Sequence, residues 1–285
     1  MIKKRLLIIL SILLIATSVF AWTVQDAHKA VIGRMNVAPP AGATDFTADA
    51  NCQGAWLFAD GLTDASGEGN TLTDGADIVY STTRPTQYST PQGKSADFES
   101  GDSDKLTRAD ADVSAQFPGQ AQKTDFSVAF WIKFESTAAT MGIIGKGLVG
   151  GWGIANLYED PSFRIRTHIF DGTHDAYGTF IVSDTTSWHH VVLAFHGGST
   201  HAHIYVSSDG GTFGDEGKHD DDDGTPLVIT NVDYVVANAV DLELGTYSGG
   251  NYFDGLLYQP IVFDDLLTEE EAQSIYENGI TGKDG

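Results

Sequence analysis

The chain has 285 residues, and its 39 acidic residues against 16 lysines and arginines give a formal net charge of −23. So negative a surface repels nucleic-acid phosphates and anionic lipid headgroups, which excludes nucleic acid as a partner, and it attracts cations such as calcium. The same charge also suits a salty environment, where it is screened. The single cysteine, Cys52, excludes an intramolecular disulfide.

The first 21 residues have the pattern of a secretory signal peptide. Lys3-Lys4-Arg5 is followed by the uncharged apolar run 6–20, and Val19 and Ala21 are small residues suited to cleavage after Ala21. An uncleaved membrane anchor is the alternative, but the run is short for a bilayer span of about 20 residues. We predict cleavage, no membrane insertion afterwards, and a secreted, periplasmic or cell-surface location.

The chain changes character near residue 51. Residues 22–50 contain no sustained apolar period and are predicted to be a leader or linker. From 51 to 280, short apolar runs alternate with clusters of Gly, Asp, Ser, Thr and Asn, which is typical of an all-β sandwich or barrel. Residues 281–285 are predicted to be a tail.

Four segments predict the centre of this β-structure. Asp125–Phe134 and Phe163–Phe170 alternate apolar and polar residues, as expected for strands with one buried face. Trp188–Phe195 is apolar almost throughout, which favours a central strand covered on both faces, and Ala202–Val206 is predicted to pair with it as a hairpin. Further strands are predicted at Ala55–Ala59, Ser95–Phe98, Gly142–Lys146, Gly151–Tyr158, Leu227–Ile229, Leu242–Gly245 and Leu256–Phe263.

One short helix is predicted after the last strand. Thr268 and Glu271 have the spacing of a capping box, and Gly279 is suited to a left-handed stop.

Five motifs in this order carry a resemblance to a known family. They are Trp56–Asp60 with Asp64–Asn70, Phe126–Ile132, Trp188–Val191, Phe253–Gly255 and Leu267–Glu271. With them the segment from about 51 to 279 resembles the laminin-G-like domain of the concanavalin A-like lectin/glucanase superfamily. The resemblance implies a two-sheet antiparallel jelly-roll β-sandwich with one short C-terminal helix. It implies less about function, because jelly rolls host many activities.

The turn at Asp64–Asn70 is a candidate calcium site. Oxygen-bearing side chains alternate along it before Gly69, as in the first half of a calcium loop. The resemblance implies a structural Ca²⁺ here, with Asp64 and Asn70, a distant Asp254 and, secondarily, Asp60 as ligands. An ordinary turn capped by side chains is the other interpretation. Tyr258-Gln259 stands where family members often have acidic residues.

The polar side of the predicted strand Phe163–Phe170 is the candidate ligand face. Arginine supplies rigid, planar donors, and glycan sites combine such groups with an aromatic platform. A solvent-facing strand side without a ligand is the alternative interpretation. The candidate residues on or near this face are Trp152, Arg164, Arg166, His168, Asp171, His174 and Tyr177.

The other clusters predict less chemistry. His189 and His190 are expected to pack inside the sandwich, and the acidic run 219–224 to be a solvated loop. Asp241-Leu242-Glu243 approaches the alternating acids of related glucanases, but Gly245 stands at the third position. We therefore predict an exported, non-catalytic sandwich that binds a polysaccharide, another glycan or a cell-surface protein. A glycan-cleaving jelly roll and a structural or adhesive surface protein are the alternatives.

Overall fold

A computed structural model describes residues 44–284, apart from positions 60, 76, 137–139, 148–149, 160–161, 183–185, 198–201, 220–231 and 247–249. In this part of the chain, no helix combines the length and the apolar character needed to cross a bilayer. The predicted strand Leu227–Ile229 and most of the acidic run 219–224 lie outside the described residues.

The described residues form fifteen strands and one α-helix. The strands are β1 (Cys52–Ala55), β2 (Thr73–Asp74), β3 (Val79–Ser81), β4 (Ser95–Phe98), β5 (Leu106–Arg108), β6 (Asp125–Phe134), β7 (Met141–Lys146), β8 (Trp152–Glu159), β9 (Ser162–Phe170), β10 (Asp175–Ile181), β11 (His189–His196), β12 (Ala202–Ser208), β13 (Gly217–His219), β14 (Leu242–Leu244) and β15 (Gly255–Phe263). The helix, α1, is Glu269–Asn278, and short 3-10 turns lie at Phe46–Ala48 and Asp110–Asp112.

The strands form two antiparallel sheets, which confirms the predicted sandwich. The eight-stranded sheet has the order β13-β12-β11-β6-β15-β4-β3, with β1 paired to the far end of β15. The seven-stranded sheet has the order β10-β9-β8-β7-β14-β5-β2. Strands distant in sequence are neighbours in both sheets, as in a jelly roll.

The predicted strands agree well with the observed ones. β4 and β6 have the predicted bounds, and the hairpin β11–β12 forms with Val192 opposite Tyr205. β1 overlaps the predicted strand Ala55–Ala59 only at Ala55, since it begins at Cys52 and Trp56 makes only an isolated bridge to Asp64. Five strands were not predicted: β2, β3, β5, β10 and β13.

The main core lies between the two sheets, and a second apolar layer covers the outside of the eight-stranded sheet. β6 places Phe126, Val128, Phe130 and Ile132 in the main core. The opposite face of β6 is also buried, because Trp131 stacks on Tyr276 of α1 at 5.4 Å between ring centroids. The helix therefore closes one outer face of the sandwich and leaves the other sheet as the candidate ligand side.

The helix ends have the predicted chemistry. The Thr268 side chain accepts a hydrogen bond from the backbone N–H of Glu271, and the Glu271 carboxylate accepts one from the backbone N–H of Thr268. At the other end Gly279 adopts a φ of 69°, which a side chain would disfavour. The capping box and the glycine stop are thus confirmed.

The packed domain extends beyond the predicted range 51–280 at both ends. Phe46 is buried against Phe263, and its backbone N–H donates to the carbonyl of Ile280 at 2.9 Å. Asp284 is also buried, and it accepts hydrogen bonds from the backbone N–H of Gln92 and the side chain of Gln259. Segments predicted as linker and tail therefore include residues of the fold.

Candidate functional site

The outer face of β9 carries the predicted arginines. Ile165, Thr167 and Ile169 point inward and are buried, so Arg164 and Arg166 point outward, where both are half-buried. Across the pairing register, Arg166 lies between Ala155 of β8 and Thr179 of β10. The small side chain of Ala155 leaves room for the arginine beside it. We call the outer face around Arg164, Arg166, His168, Ala155 and Thr179 the arginine face.

His168 also belongs to the arginine face, but a neighbouring carboxylate holds it. Its Nε2 lies 2.6 Å from Oδ1 of Asp175, the first residue of β10. The side chain is buried, whereas that of Asp175 is 47% exposed. A hydrogen-bonded pair of this kind orients the imidazole and places an acceptor at the edge of the face.

Trp152 does not lie on the arginine face, which corrects the prediction that it is an aromatic platform there. Its backbone pairs with Ile169, so the side chain points into the core. It is fully buried, its ring lies 5.3 Å from that of Phe126, and its Nε1 donates to the carbonyl of Pro118. The periodicity of β8 alone could not show this, because the face of Trp152 depends on the register with β9.

Asp171 and His174 build the turn between β9 and β10. Oδ1 of Asp171 accepts hydrogen bonds from the backbone N–H groups of Thr173 and His174, and Oδ2 lies 3.1 Å from Nδ1 of His174. Burial opposes ionisation, yet these donors hold the pKa of Asp171 below its ordinary value. The turn lies at the end of the arginine face, and Tyr177 pairs with His168 through its backbone.

The Asp64 turn is held by hydrogen bonds from its own loop. Oδ1 of Asp64 accepts from the backbone N–H groups of Ala55 and Ser66, and Oδ2 accepts from that of Asn70. Asn70 is buried, and its side chain spans to Gln53 and Ser114. These contacts are those of a turn capped by side chains, the second of the two interpretations of the sequence.

Asp254 has different neighbours from Asp64. Its Oδ2 accepts from the hydroxyl of Ser100, and its carbonyl accepts from the backbone N–H of Glu135. The hydrogen bonds of Asp254 therefore join it to Ser100 and Glu135, whereas those of Asp64 join it to its own turn and β1. Asp60 lies outside the described residues.

Asp254 belongs instead to a group of acids that sequence reasoning missed. One carboxylate oxygen from each of Asp97, Glu99 and Glu135 lies within 4.8 Å of the others. Burial comes first in raising the pKa of all three, and repulsion from nearby carboxylates, Asp254 among them in each case, adds to it. The one signal in the sequence was an acidic residue, Asp97, inside the predicted strand Ser95–Phe98, where its side chain had to point away from the core. The partners follow only from the pairing of β4 and β6 with β15.

The histidine pair at the start of β11 is buried, as predicted. His189 Nδ1 lies 2.6 Å from Oε1 of Glu216. His190 packs between the rings of Trp131 and Tyr276, and burial lowers its pKa to about 3. Neither side chain reaches the arginine face.

The two carboxylates of the incomplete glucanase pattern have different surroundings. Glu243 shares the outer face of the seven-stranded sheet, opposite Gly145 of β7, and burial raises its pKa. Asp241 instead accepts a hydrogen bond from the backbone N–H of Asp110.

Comparisons with solved structures find a similar fold in several proteins. Domain 4 of AbnA, a GH43 extracellular arabinanase from Geobacillus stearothermophilus solved in complex with arabinotriose, is 16% identical with a TM-score of 0.51. The match covers 79% of this chain and 98% of that domain. The botulinum neurotoxin serotype G binding domain is 16% identical with a TM-score of 0.57, covering 79% of this chain and 50% of that one.

A third structure is the binding domain of botulinum neurotoxin DC in complex with rat synaptotagmin II, at 13% identity and a TM-score of 0.51, covering 81% of this chain and 52% of that one. The chain spans about half the length of these toxin domains. At such identities the likeness concerns the fold.

Sequence comparison gives the family directly. No curated protein sequence matches the chain. A family model of the laminin G type, described as concanavalin A-like lectin/glucanases superfamily, matches residues 106–273, from β5 into α1. Over half of the chain is matched and both sheets have the expected antiparallel topology, so the chain belongs to the concanavalin A-like lectin/glucanases superfamily.

Proposed function

We propose that this protein is an exported, non-catalytic carbohydrate-binding sandwich whose glycan lies on the arginine face. The observation that carries the proposal is the pair Arg164 and Arg166, which point outward side by side from β9. In a chain of net charge −23, two adjacent guanidinium groups form a local region of positive charge. They favour a ligand with carboxylate or sulfate groups, which an arginine fork can bind in a bidentate way.

The surroundings of the two arginines support this proposal. An apolar layer covers the outside of the helix-covered sheet, whereas the arginine face carries polar groups, of which His168 is held by its hydrogen bond with Asp175. The Asp175 carboxylate at its edge supplies an acceptor for sugar hydroxyls. The arabinotriose complex of a domain with this fold is consistent with glycan binding.

A glycan array followed by calorimetry with the best acidic polysaccharide tests the proposal. We expect Arg166→Ala to weaken binding by roughly tenfold to a hundredfold, because hydrogen bonds between charged groups contribute about 1.5–3 kcal/mol. Arg166→Lys keeps the positive charge but loses the bidentate guanidinium group, so it should bind better than Arg166→Ala and more weakly than the wild type. Arg84→Ala is the matched control, since this exposed arginine follows β3 of the other sheet and its loss should leave affinity unchanged.

Other outcomes would contradict the proposal. A wild-type protein that binds no glycan on the array, or an Arg166→Ala variant with unchanged affinity, would remove the arginine face as the site. Release of reducing ends from a polysaccharide, abolished by Glu243→Gln, would establish the glycan-cleaving alternative. Glu243 is the group to test, because its raised pKa suits a proton donor on the same sheet.

A further inference from the structure

A second potential site lies on the opposite sheet from the arginine face, at one end of β4 and β6 and at the start of β15. Asp97 belongs to β4, Glu99 follows it, Glu135 follows β6 and Asp254 precedes β15. The backbone hydrogen bond from Glu135 to Asp254 joins two of these segments. We call the group Asp97, Glu99, Glu135 and Asp254 the carboxylate cluster.

In the described part of the chain, the carboxylate cluster concentrates negative charge that Lys133 offsets only weakly. The ligand oxygens of Asp97, Glu99 and Glu135 are all within 4.8 Å of one another. Like charges at this separation disfavour joint ionisation. Lys133 is the basic residue that acts on the cluster, and it has the smallest influence among those on Glu135. Repulsion in the cluster is therefore only weakly offset by the protein itself.

A buried carboxylate behind the cluster provides a second, independent observation. Asp104 is 4% exposed, and its Oδ2 accepts from the backbone N–H of Glu99. Its Oδ1 is shielded from solvent and has no hydrogen-bond partner, and the same is true of Oδ1 of Asp97. Burial raises the pKa of Asp97, and the negative charge of Asp104 is the next largest cause.

Buried carboxylate oxygens without donors are costly unless something positive satisfies them. Backbone N–H groups satisfy both oxygens of Asp64, whereas the two oxygens here lack such donors. We propose that the carboxylate cluster binds a divalent cation, Ca²⁺, through Asp97, Glu99 and Glu135, with Asp104 behind Asp97 and Asp254 at the rim.

Calcium suits these donors better than the other common metals. All of them are carboxylate oxygens, which hard cations prefer, and no described histidine or cysteine belongs to the group. Calcium accepts six to eight oxygens in flexible geometry, whereas magnesium demands a near-octahedral shell and keeps its waters. A cluster drawn from three strand ends, partly open to solvent, meets the looser requirement.

Thermal unfolding of the purified protein with CaCl₂ or with EDTA tests the inference. Ionic strength is matched with NaCl, because this acidic chain attracts cations generally. We expect Ca²⁺ to raise the unfolding midpoint more than Mg²⁺ does, since a ligand of the folded state stabilises it by mass action. Equal midpoints in Ca²⁺, Mg²⁺ and NaCl would overturn the inference.

Glu135→Gln separates cation binding from a structural role. Glu135 is exposed, so the substitution should fold, and in EDTA its midpoint should equal or exceed that of the wild type because repulsion is relieved. We expect the calcium-dependent rise of the unfolding midpoint to be lost in this variant. Its affinity for Ca²⁺, measured by calorimetry, should be at least about tenfold weaker.

Glu277→Gln removes one charge from the exposed side of α1 and is the matched control that should respond to calcium like the wild type. A full calcium response in Glu135→Gln and in Asp97→Asn would overturn the assignment. Glycan binding is measured separately, so failure of either proposal leaves the other standing.

Discussion

Asp64 illustrates how a single carboxylate can organise a turn through backbone N–H groups. Three backbone N–H groups, those of Ala55, Ser66 and Asn70, point at its two oxygens. Donors in this number satisfy the charge that a cation would otherwise balance. Alternating oxygen-bearing side chains in a sequence therefore indicate a tight turn around a carboxylate. The sequence alone does not show whether backbone N–H groups or a cation lie next to that carboxylate.

We expect Asp64→Ala to destabilise the fold by about 3 kcal/mol, because three buried or half-buried N–H groups lose a charged acceptor. Urea unfolding monitored by tryptophan fluorescence measures the change. Asp64→Asn retains one acceptor oxygen and should lose less. If Asp64→Ala kept its stability and lost the calcium response while Glu135→Gln kept it, the ion would belong to the turn.

His190 predicts a pH dependence of stability. Burial lowers its pKa to about 3 in the folded state, below the ordinary histidine value of 6.5. Between these values the unfolded chain binds the extra proton, so His190 makes stability fall as pH falls through this window, by up to about 1.4 kcal/mol per unit.

His190→Phe should remove this contribution while preserving the ring contacts with Trp131 and Tyr276. The measurement is the free energy of unfolding of both proteins between pH 7 and pH 4, and the wild type should lose more. Parallel curves would show that His190 stays protonated or reaches solvent. The raised pKa values of the carboxylate cluster act in the opposite direction in both proteins, so they cancel in the comparison.

At the scale of elements, some strands and the helix could be predicted from local sequence patterns, and the shortest strands could not. β6 and α1 were predicted because an alternating apolar face and a capping box are complete within a few consecutive residues. The strands β2, β3 and β5 have three residues or fewer, and each is defined by its hydrogen bonds to a neighbouring strand: β2 to β5, β3 to β4, and β5 also to β14. Propensity within so short a window carries little information.

The capping box of α1 yields a prediction of its own. Thr268→Ala removes the acceptor of the Glu271 backbone N–H and should cost about 1 kcal/mol, since N-cap replacements typically do. Chemical unfolding measures it, and Thr268→Ser, which keeps the hydroxyl, is the control. An unchanged stability would show that burial of Ile275 and Tyr276, rather than the cap, determines whether the helix forms.

At the scale of the whole molecule, the fold was predictable and the site was predictable only in part. Five ordered motifs indicated the sandwich, and alternation correctly placed Arg164 and Arg166 on one outer face. The error at Trp152 and the unforeseen meeting of Asp97 with Glu135 have the same origin. Both depend on which residues lie opposite each other across strands distant in sequence, and register of that kind is set by the assembled sheets.

The contact between Phe46 and Ile280 has a further consequence for how this domain can be attached to something else. Both ends of the folded unit meet beside β15, in the sheet that α1 covers. A tether leaving from either end starts on the helix-covered side, while the arginine face points the opposite way. Closely spaced ends also favour circular permutation and insertion into a host loop. Attachment through either end would leave the proposed binding surface on the opposite sheet uncovered.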